Sequence, residues 1–392
     1  MKFSILLPTR NRADLLRLAV KSVQMQDYAD WEIVVSDNMS DQDIAGDVRS
    51  LGDARISALR QASLVPVTDN WNAALAASSG DYFIMLGDDD ALAPGALSAI
   101  AALVERWRRP AAIYAQALQY AYPGVVPDHP DAFVQFGYNE FLQGRREAFA
   151  LPKSAALRAV RAAMAFRLLY MYNMQHFVIS RELVERLKPK GPFFQSPYPD
   201  YYAANAVLLE AEPLVATPEI FTLIGISPKS FGYYYMNERE RDGTEFLRNV
   251  AEPDIARRVR DKLMPGSNLN DSWLCAMETL ARNFPERVGN AVKHRGYRRL
   301  QYHALIRSRR RREALRQMRW WELPLYAAAA AALLALRALP SRPRDFLRSH
   351  LVHLVFDASP RFDAQRRTVP YRDILEAALG EVPAPRAAER GL

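Results

Sequence analysis

Asp88, Asp89 and Asp90 close the apolar run Tyr82-Phe83-Ile84-Met85-Leu86-Gly87, and three adjacent carboxylates can do two kinds of chemistry. They can hold a divalent metal through hard oxygen ligands, because close carboxylates repel unless a cation or hydrogen-bond donors offset their charge. They can also cap the helix that Pro94 begins, since carboxylates favour helix N-termini. A second acidic stretch, Ser36-Asp37-Asn38-Met39-Ser40-Asp41, ends another apolar run, and a lone acid, Asp200, follows Pro199 among tyrosines. Read locally, an Asp after Pro in a loop suits a helix N-cap. The single cysteine, Cys275, lies between Leu274 and Ala276. It excludes an intramolecular disulfide and a cysteine-built zinc site, fits a reducing compartment, and reads as a packed small residue. His176, between Gln175 and Phe177 on an apolar run, reads as a hydrogen-bonded core histidine rather than a metal ligand.

The elements that must position these acids are those of an α/β unit. Phe3 to Leu7 is a short apolar run followed by the donor-rich turn Pro8-Thr9-Arg10-Asn11-Arg12, a strand and a binding loop. Leu15, Leu18, Ala19 and Val23 then recur at helical spacing between Ala13 and about Gln26. Glu32 to Val35 is a second strand, and its carboxyl end carries Asp37. If the strands are parallel, the Pro8 turn, the Asp37 loop and the aspartate triplet converge, because open α/β sheets bind ligands outside the strand carboxyl ends where strand order reverses. Farther along, Ala111 to Ala121 reads as sheet, Ser154 to Met171 as helix, Gln175 to Ile179 as strand and Arg181 to Leu187 as helix. An aromatic loop, Lys190 to Pro199, leads into Asp200, and Ile220 to Ile226 is a further strand.

Charge is uneven along the 392 residues. Residues 1–200 carry 21 Lys+Arg against 22 Asp+Glu; subtraction from the totals of 52 and 44 leaves 31 against 22, a net of +9, in residues 201–392. The densest part is Arg307 to Arg312, with Arg316 and Arg319 following, then Trp320-Trp321 and an alanine-rich stretch without charge from Ala327 to Leu336. This order suits an anionic membrane surface, with arginines at phosphates and tryptophans at headgroup level. The 14 residues from Leu323 to Leu336 span about 21 Å as helix, short of the roughly 30 Å hydrocarbon core, so the segment lies on a membrane rather than crossing it. The other reading is a buried or partner-binding helix behind a solvated basic face. Nucleic acid is not expected, because no recognised module accompanies the arginines. The apolar stretch at the start is too short for a signal peptide, which places the N-terminal half in the cytoplasm. The expected organisation is a domain of residues 1–232, in halves 1–107 and 108–232, and a basic helical extension of residues 233–392 with a membrane-surface segment at 307–339.

Five ordered stretches carry a resemblance to glycosyltransferase family 2. They are Pro8-Thr9-Arg10-Asn11-Arg12 with Leu15, Leu16, Ser22 and Gln26; Asp37-Asn38-Met39-Ser40; Asn70-Trp71-Asn72-Ala73-Ala74-Leu75; Gly80-Asp81-Tyr82; and Asp88 through Pro94. The resemblance implies a GT-A fold, a Rossmann-like nucleotide-binding sheet continuous with an acceptor-binding part. It implies an inverting, metal-dependent transfer of a sugar from a nucleotide-sugar donor, UDP favoured, to a saccharide or lipid-linked saccharide acceptor in bacterial surface polysaccharide synthesis.

Carried over, Asp37 holds the base or ribose, Pro8, Thr9, Arg10, Arg12 and Asn72 line the nucleotide sugar with Asp88 and Asp89, and Asp88 and Asp90 hold Mn²⁺ or Mg²⁺. Many members have an acid where Gly87 stands, so Asp89 is equally placed for either aspartate role. Asp200 sits where the family has a Glu-Asp pair and takes the part of catalytic base, with Pro199 in the glutamate's place. Phe193, Phe194, Tyr198, Tyr201 and Tyr202 offer a stacking platform for sugar rings or belong to the core. Two other classes fit the same residues: a scaffold retaining the fold without catalysis, and a nucleotidyltransferase, which needs a glycine-rich loop with a lysine that Pro8 to Arg12 lacks.

Overall fold

The computed structural model describes residues 1–126, 129–237, 259–289, 292–307, 310–324 and 366–382, with residues 327, 331 and 340 singly. Most of the alanine-rich segment from Leu325 to Leu339 therefore lies outside the described residues. No helix among those described is long and apolar enough to cross a membrane.

Strands β1 (Phe3–Thr9), β2 (Trp31–Asp37), β3 (Ile56–Arg60) and β4 (Tyr82–Met85) run parallel in the order β3-β2-β1-β4. Helices α1 (Ala13–Gln24), α2 (Ile44–Ser50) and α3 (Val67–Ala77) make the crossovers. Side chains of a strand alternate between faces, and both faces are covered here: Leu6, Val34, Phe83 and Met85 enter one core, Ile5, Leu7, Ile33, Val35 and Ile84 the other. The near-continuous apolar runs of these strands are what two-sided burial demands. Helix α1 buries Leu15, Leu16, Ala19, Val20 and Val23 against the sheet.

After the triplet come β5 (Ala91–Leu92), α4 (Ala96–Arg106), β6 (Ala112–Ala121), β7 (Phe133–Phe136), β8 (Phe149–Ala150) and α5 (Lys153–Met164). The helix expected to reach Met171 stops at Met164, and Phe166 adopts φ +61° just beyond it. A single 3-10 turn, Met174–His176, precedes β9 (Phe177–Ser180), which joins the sheet antiparallel between β4 and β6. Then follow α6 (Arg181–Leu187), α7 (Pro199–Glu210), the long β10 (Leu214–Ile226), parallel to β6, and α8 (Phe231–Met236).

The expected boundary after residue 232 does not separate two cores. Helix α9 (Asn268–Asn283) packs on α7, and Trp273, Leu274, Met277 and Leu280 share one core with Val160 of α5 and Val207 of α7. Short α10 (Pro285–Val288), α11 (His294–Arg307) and α12 (Arg311–Gln317) extend this layer. The end of the chain returns to the sheet: β11 (Arg367–Thr368) pairs with the edge strand β7, and α13 (Ile374–Glu381) buries Ile374, Ala377 and Ala378 beside α1 and β5. The described part of the extension is thus mainly helical but closes a sheet edge that would otherwise expose unpaired backbone groups.

Candidate functional site

The strand register alone brings the predicted acids to one level. Thr9 pairs with Asp37 across β1 and β2, and Leu6 pairs with Met85 across β1 and β4, so continuing three residues sets Asp88 beside Thr9. The Thr9 hydroxyl closes that step by donating to Asp88 Oδ2 at 2.8 Å. Strand β1 is where the order reverses, with β2 on one side and β4 on the other. The crevice outside its carboxyl end is the expected ligand site of such a sheet.

Within the triplet each carboxylate has its own donors. Asp88 Oδ1 takes Arg12 Nη1 at 2.8 Å, Asp89 Oδ2 takes the Ser227 hydroxyl at 2.8 Å, and Arg12 stands 4.0 Å from Asp89 Oδ1. Asp90 is the most heavily bonded: Oδ2 accepts from the Gly87 backbone at 2.6 Å and from Gln175 Nε2 at 2.7 Å, and Oδ1 from the Gly225 backbone at 2.8 Å. All three are buried. Burial pushes the carboxyl of Asp89 up, against Arg12 and with Asp88, and burial followed by the Asp89 charge pushes up Asp90. Burial pulls the Arg12 guanidinium down, but Asp88 and Asp89 outweigh it and keep it protonated. One guanidinium facing three carboxylates leaves negative charge in excess, and hard oxygen donors in excess suit a divalent cation. The expected pairing of Asp88 with Asp90 is not the one these bonds favour. Asp90 spends its two oxygens on three protein donors and Asp88 its two on Thr9 and Arg12, whereas Asp89 Oδ1 has only the distant Arg12.

Two glycines shape this corner. A Cβ at Gly225 would lie 1.8 Å from the Asp89 carbonyl oxygen, so β10 can approach the triplet only without a side chain. At Gly87 a Cβ would come within 2.7 Å of Asp90 Oδ2. An acid at position 87 would therefore displace the carboxylate that the Gly87 N–H now binds.

The remaining donor-side residues divide. Asp37 is buried, accepting from the Ser40 backbone at 2.8 Å and from Arg60 Nη1 at 2.8 Å. Pro8 is partly buried at the mouth, and Arg10 holds a buried Nε with no hydrogen-bond partner. Asn72 departs from expectation: its amide donates to the Phe194 carbonyl at 2.9 Å and accepts from the Phe194 N–H at 3.1 Å, so it fastens α3 to the aromatic loop instead of facing a nucleotide. The loop is fixed again where Thr68 donates to the carbonyl of Ser196, a residue held at φ +73°.

Asp200 is reached from the other side. It is buried in the first turn of α7, and Oδ1 accepts from the Met174 backbone at 2.8 Å. Burial raises its carboxyl to about 7. Met174 and Gln175, consecutive in the 3-10 turn, thus hold Asp200 and Asp90 respectively, joining two acids that lie 110 residues apart in sequence. Of the proposed aromatic platform, Phe193 and Phe194 are core, stacked edge-on against Phe83, and Tyr202 is buried with its hydroxyl bonded to Gln195 and Asn283. Tyr198 and Tyr201 are half-buried beside Asp200. His176 behaves as read: it stacks on Tyr114, bonds the Ala115 carbonyl at 2.8 Å, and burial lowers it to about 4. Cys275 is buried in α9. Gln175, Ser227, Gly225 and Trp273 were not anticipated, since none belongs to a motif and all meet the site through tertiary contacts.

Residues 4–170 match the family described as Glycosyl transferase family 2. A Campylobacter jejuni protein named GalNAc(5)-diNAcBac-PP-undecaprenol beta-1,3-glucosyltransferase is 42% identical over 102 residues, 25% of this chain and 33% of the relative. WcaA of Escherichia coli K12, named as a colanic acid biosynthesis glycosyl transferase, is 31% identical over 134 residues, 32% of this chain and 48% of the relative. The chain therefore spans between a third and a half of these relatives. The crystal structure of S. aureus TarS 1-349 in complex with UDP-GlcNAc superposes with a TM-score of 0.51 at 14% identity, covering 90% of this chain and 87% of that one. This likeness carries the fold alone.

Proposed function

We propose, from the glycosyl transferase family 2 domain that residues 4–170 constitute, that the protein transfers a sugar from a nucleoside-diphosphate donor to a saccharide hydroxyl with inversion. The observation that supports this reading is the turn at Met174 and Gln175, whose consecutive residues bind Asp200 and Asp90 of the triplet at the sheet's switch point. A base for an acceptor hydroxyl works best with a pKa near the working pH, and Asp200 stands at about 7. In its ionised form it takes the proton as the hydroxyl oxygen attacks the anomeric carbon. The bond to the diphosphate breaks on the opposite face.

Charge grows on the departing phosphate oxygens, and Arg12 with the unpartnered Nε of Arg10 supplies positive donors there. A divalent ion, Mn²⁺ or Mg²⁺, would be held by Asp88 and Asp89 and would act as a Lewis acid toward the diphosphate. Such ions need only one or two carboxylates besides the phosphates themselves. Asp90 instead fixes the loop through Gly87, Gln175 and Gly225. Asp37 receives the nucleoside, for which UDP is the first candidate.

The relatives' names point to lipid-linked and surface polysaccharide acceptors, and one surface supports work at the inner face of the cytoplasmic membrane. Trp320 is 77% exposed, and Trp321, Leu315 and Leu323 are exposed beside it. The nearby acid, Glu322, turns inward to Arg298 at 2.9 Å and Tyr302 at 2.7 Å. The outward face of this stretch thus keeps tryptophan and arginine without a competing carboxylate, a composition that anionic lipid attracts.

The deciding experiment measures nucleotide release from UDP-, GDP- and dTDP-sugars with Mn²⁺ for the wild type and Asp200→Asn. Transfer lost in the variant with nucleotide binding retained is the expected result. Absence of turnover and of nucleotide binding with every donor overturns the reading.

A further inference from the structure

We propose that Tyr172, Tyr201 and Trp273 form the subsite for a neutral sugar ring of the acceptor, so that helix α9 of the C-terminal extension is part of the acceptor site. This rests on the glycosyltransferase reading above and adds to it the residues that select the acceptor. The three rings meet mutually: Tyr172 and Tyr201 lie 5.2 Å apart at 79°, Tyr172 and Trp273 5.6 Å apart at 81°, and Tyr201 and Trp273 5.7 Å apart at 54°. They come from three segments, two of which adjoin the proposed base in the chain or through its hydrogen bond. Tyr201 follows Asp200 directly, Tyr172 lies two residues before the Met174 N–H that binds Asp200, and Trp273 comes from α9, which packs on α7.

What marks the cluster as more than core is its polar chemistry. The Tyr170 hydroxyl, the Tyr172 hydroxyl and Trp273 Nε1 are buried without any hydrogen-bond partner, as are Asn205 Oδ1, on α7 one turn beyond Tyr201, and Gln175 Oε1. An atom left unpaired in the interior is costly relative to a paired one, and phenylalanine in place of either tyrosine would pack as well without that cost. Five of the nine unpartnered buried side-chain atoms among the described residues belong to this neighbourhood. Native interiors keep such atoms few, and a concentration of them beside a candidate base calls for a ligand. A pyranose supplies what is missing. Its C–H faces stack on aromatic rings, and its hydroxyls can pair with donors and acceptors at once. The nearest ionisable group in the cluster, Asp200, is a carboxylate, so an anionic group is the wrong complement and a neutral ring the right one. Half-buried Tyr198 and Tyr201, 5.3 Å apart, are the rings at the outer side through which the sugar enters.

The test uses the full chain and two conservative variants, Tyr172→Phe and Trp273→Phe, which keep an aromatic ring and remove the unpaired polar atom. Binding of methyl β-glycosides and β-linked disaccharides of glucose, galactose, N-acetylglucosamine and N-acetylgalactosamine is followed by saturation-transfer NMR in the presence of UDP. At least one glycoside is expected to bind the wild type, and each variant should weaken it roughly tenfold, the worth of one hydrogen bond. UDP affinity should stay unchanged, and the Tm of Tyr172→Phe should be equal or higher, because removing an unpaired buried group relieves its cost, whereas Trp273→Phe also loses buried ring volume and should lower Tm modestly. No binding by any glycoside overturns the proposal, as does wild-type binding by both variants. UDP binding and donor hydrolysis, measured on the same samples, report separately on the glycosyltransferase reading.

Discussion

The two ends of the cleft treat polar atoms in opposite ways. Around the triplet almost every carboxylate oxygen has a donor: Thr9, Arg12, Ser227, Gln175 and two backbone N–H groups are spent there. Around Asp200 one backbone bond serves the acid, and the tips of Tyr170, Tyr172 and Trp273 have no hydrogen-bond partner among the described residues. The difference fits what each end would meet under the proposed function. A diphosphate is the same in every nucleotide sugar, so its site can be rigid and charge-organised before binding. An acceptor contributes its own hydroxyls, so groups left unpaired in the protein are paired by the right sugar and by no other, which is where discrimination is largest.

The strongest way to break this comparison is Asp200→Asn. Transfer should fall by at least ~10²-fold, up to the ~10⁴ typical of a lost general base, while the nucleotide Kd holds. If both fall together, Asp200 is structural and the two ends are not separate. The pH dependence has a definite sign. Because the folded pKa is about 7, above the ordinary carboxylate value, wild-type turnover should rise as pH climbs through 7, and the variant should lose that limb. For stability the sign is reversed: the folded state binds this proton more tightly than the unfolded one, so the group's favourable contribution is present at low pH and is lost as pH rises from about 4 to about 7. Asp200→Asn should accordingly raise Tm more at pH 8 than at pH 5, read by calorimetry.

Arg12→Met attacks the opposite end. It strips the buried Asp88 and Asp89 of their one guanidinium, and leaving buried charge uncompensated costs ~3–5 kcal/mol. The loss should be greater at pH 8 than at pH 5, because Asp89, already pushed up by burial, can then be neutralised by a proton. Nucleoside-diphosphate binding should disappear while glycoside binding at the Tyr172 cluster survives. Mn²⁺ added to the variant should recover part of the lost Tm if Asp88 and Asp89 hold the ion. A Tm that ignores Mn²⁺ would remove the metal from the triplet.

Much of the donor end is legible in the sequence because it is built from consecutive residues at strand ends. The apolar runs fix the strands, the parallel order fixes their register, and register alone carries Asp37, Thr9 and Asp88 to one level. What hides is anything decided by a partner far along the chain. Asp90 reads as a metal ligand until Gln175 and Gly225, 85 and 135 residues away, occupy it. Asn72 reads as nucleotide-facing until the Phe194 backbone takes both ends of its amide. Trp273 sits in an ordinary amphipathic helix, and nothing local says that its ring meets Tyr172. The return of β11 to the sheet rests on two residues, too short a run for any periodicity to register.

Gly225→Ala sharpens the comparison at smaller cost. The new Cβ would meet the Asp89 carbonyl, a backbone atom that cannot swing aside, so the triplet loop must shift and stability should drop by ~1–3 kcal/mol, as for other overpacked sites. Turnover and Mn²⁺-dependent nucleotide binding should fall with it. Glycoside affinity, measured by the same NMR titration, should change less than nucleotide affinity, because β10 reaches the acceptor cluster through Asp90 and the turn at Met174 and Gln175.

The smallest effect should come from a change that touches neither end. Trp320→Ser with Trp321→Ser removes exposed rings that meet each other and Arg319, so Tm and turnover on a soluble glycoside acceptor should stay within error of wild type. Flotation with phosphatidylglycerol vesicles should nevertheless drop several-fold, and wild-type flotation should weaken as salt shortens the Debye length from about 10 Å at 0.1 M toward 3 Å at 1 M. Vesicle binding that is indifferent to both salt and the tryptophans would mean that this face is covered by protein. The acceptor would then reach the Tyr172 cluster from solution rather than along a membrane.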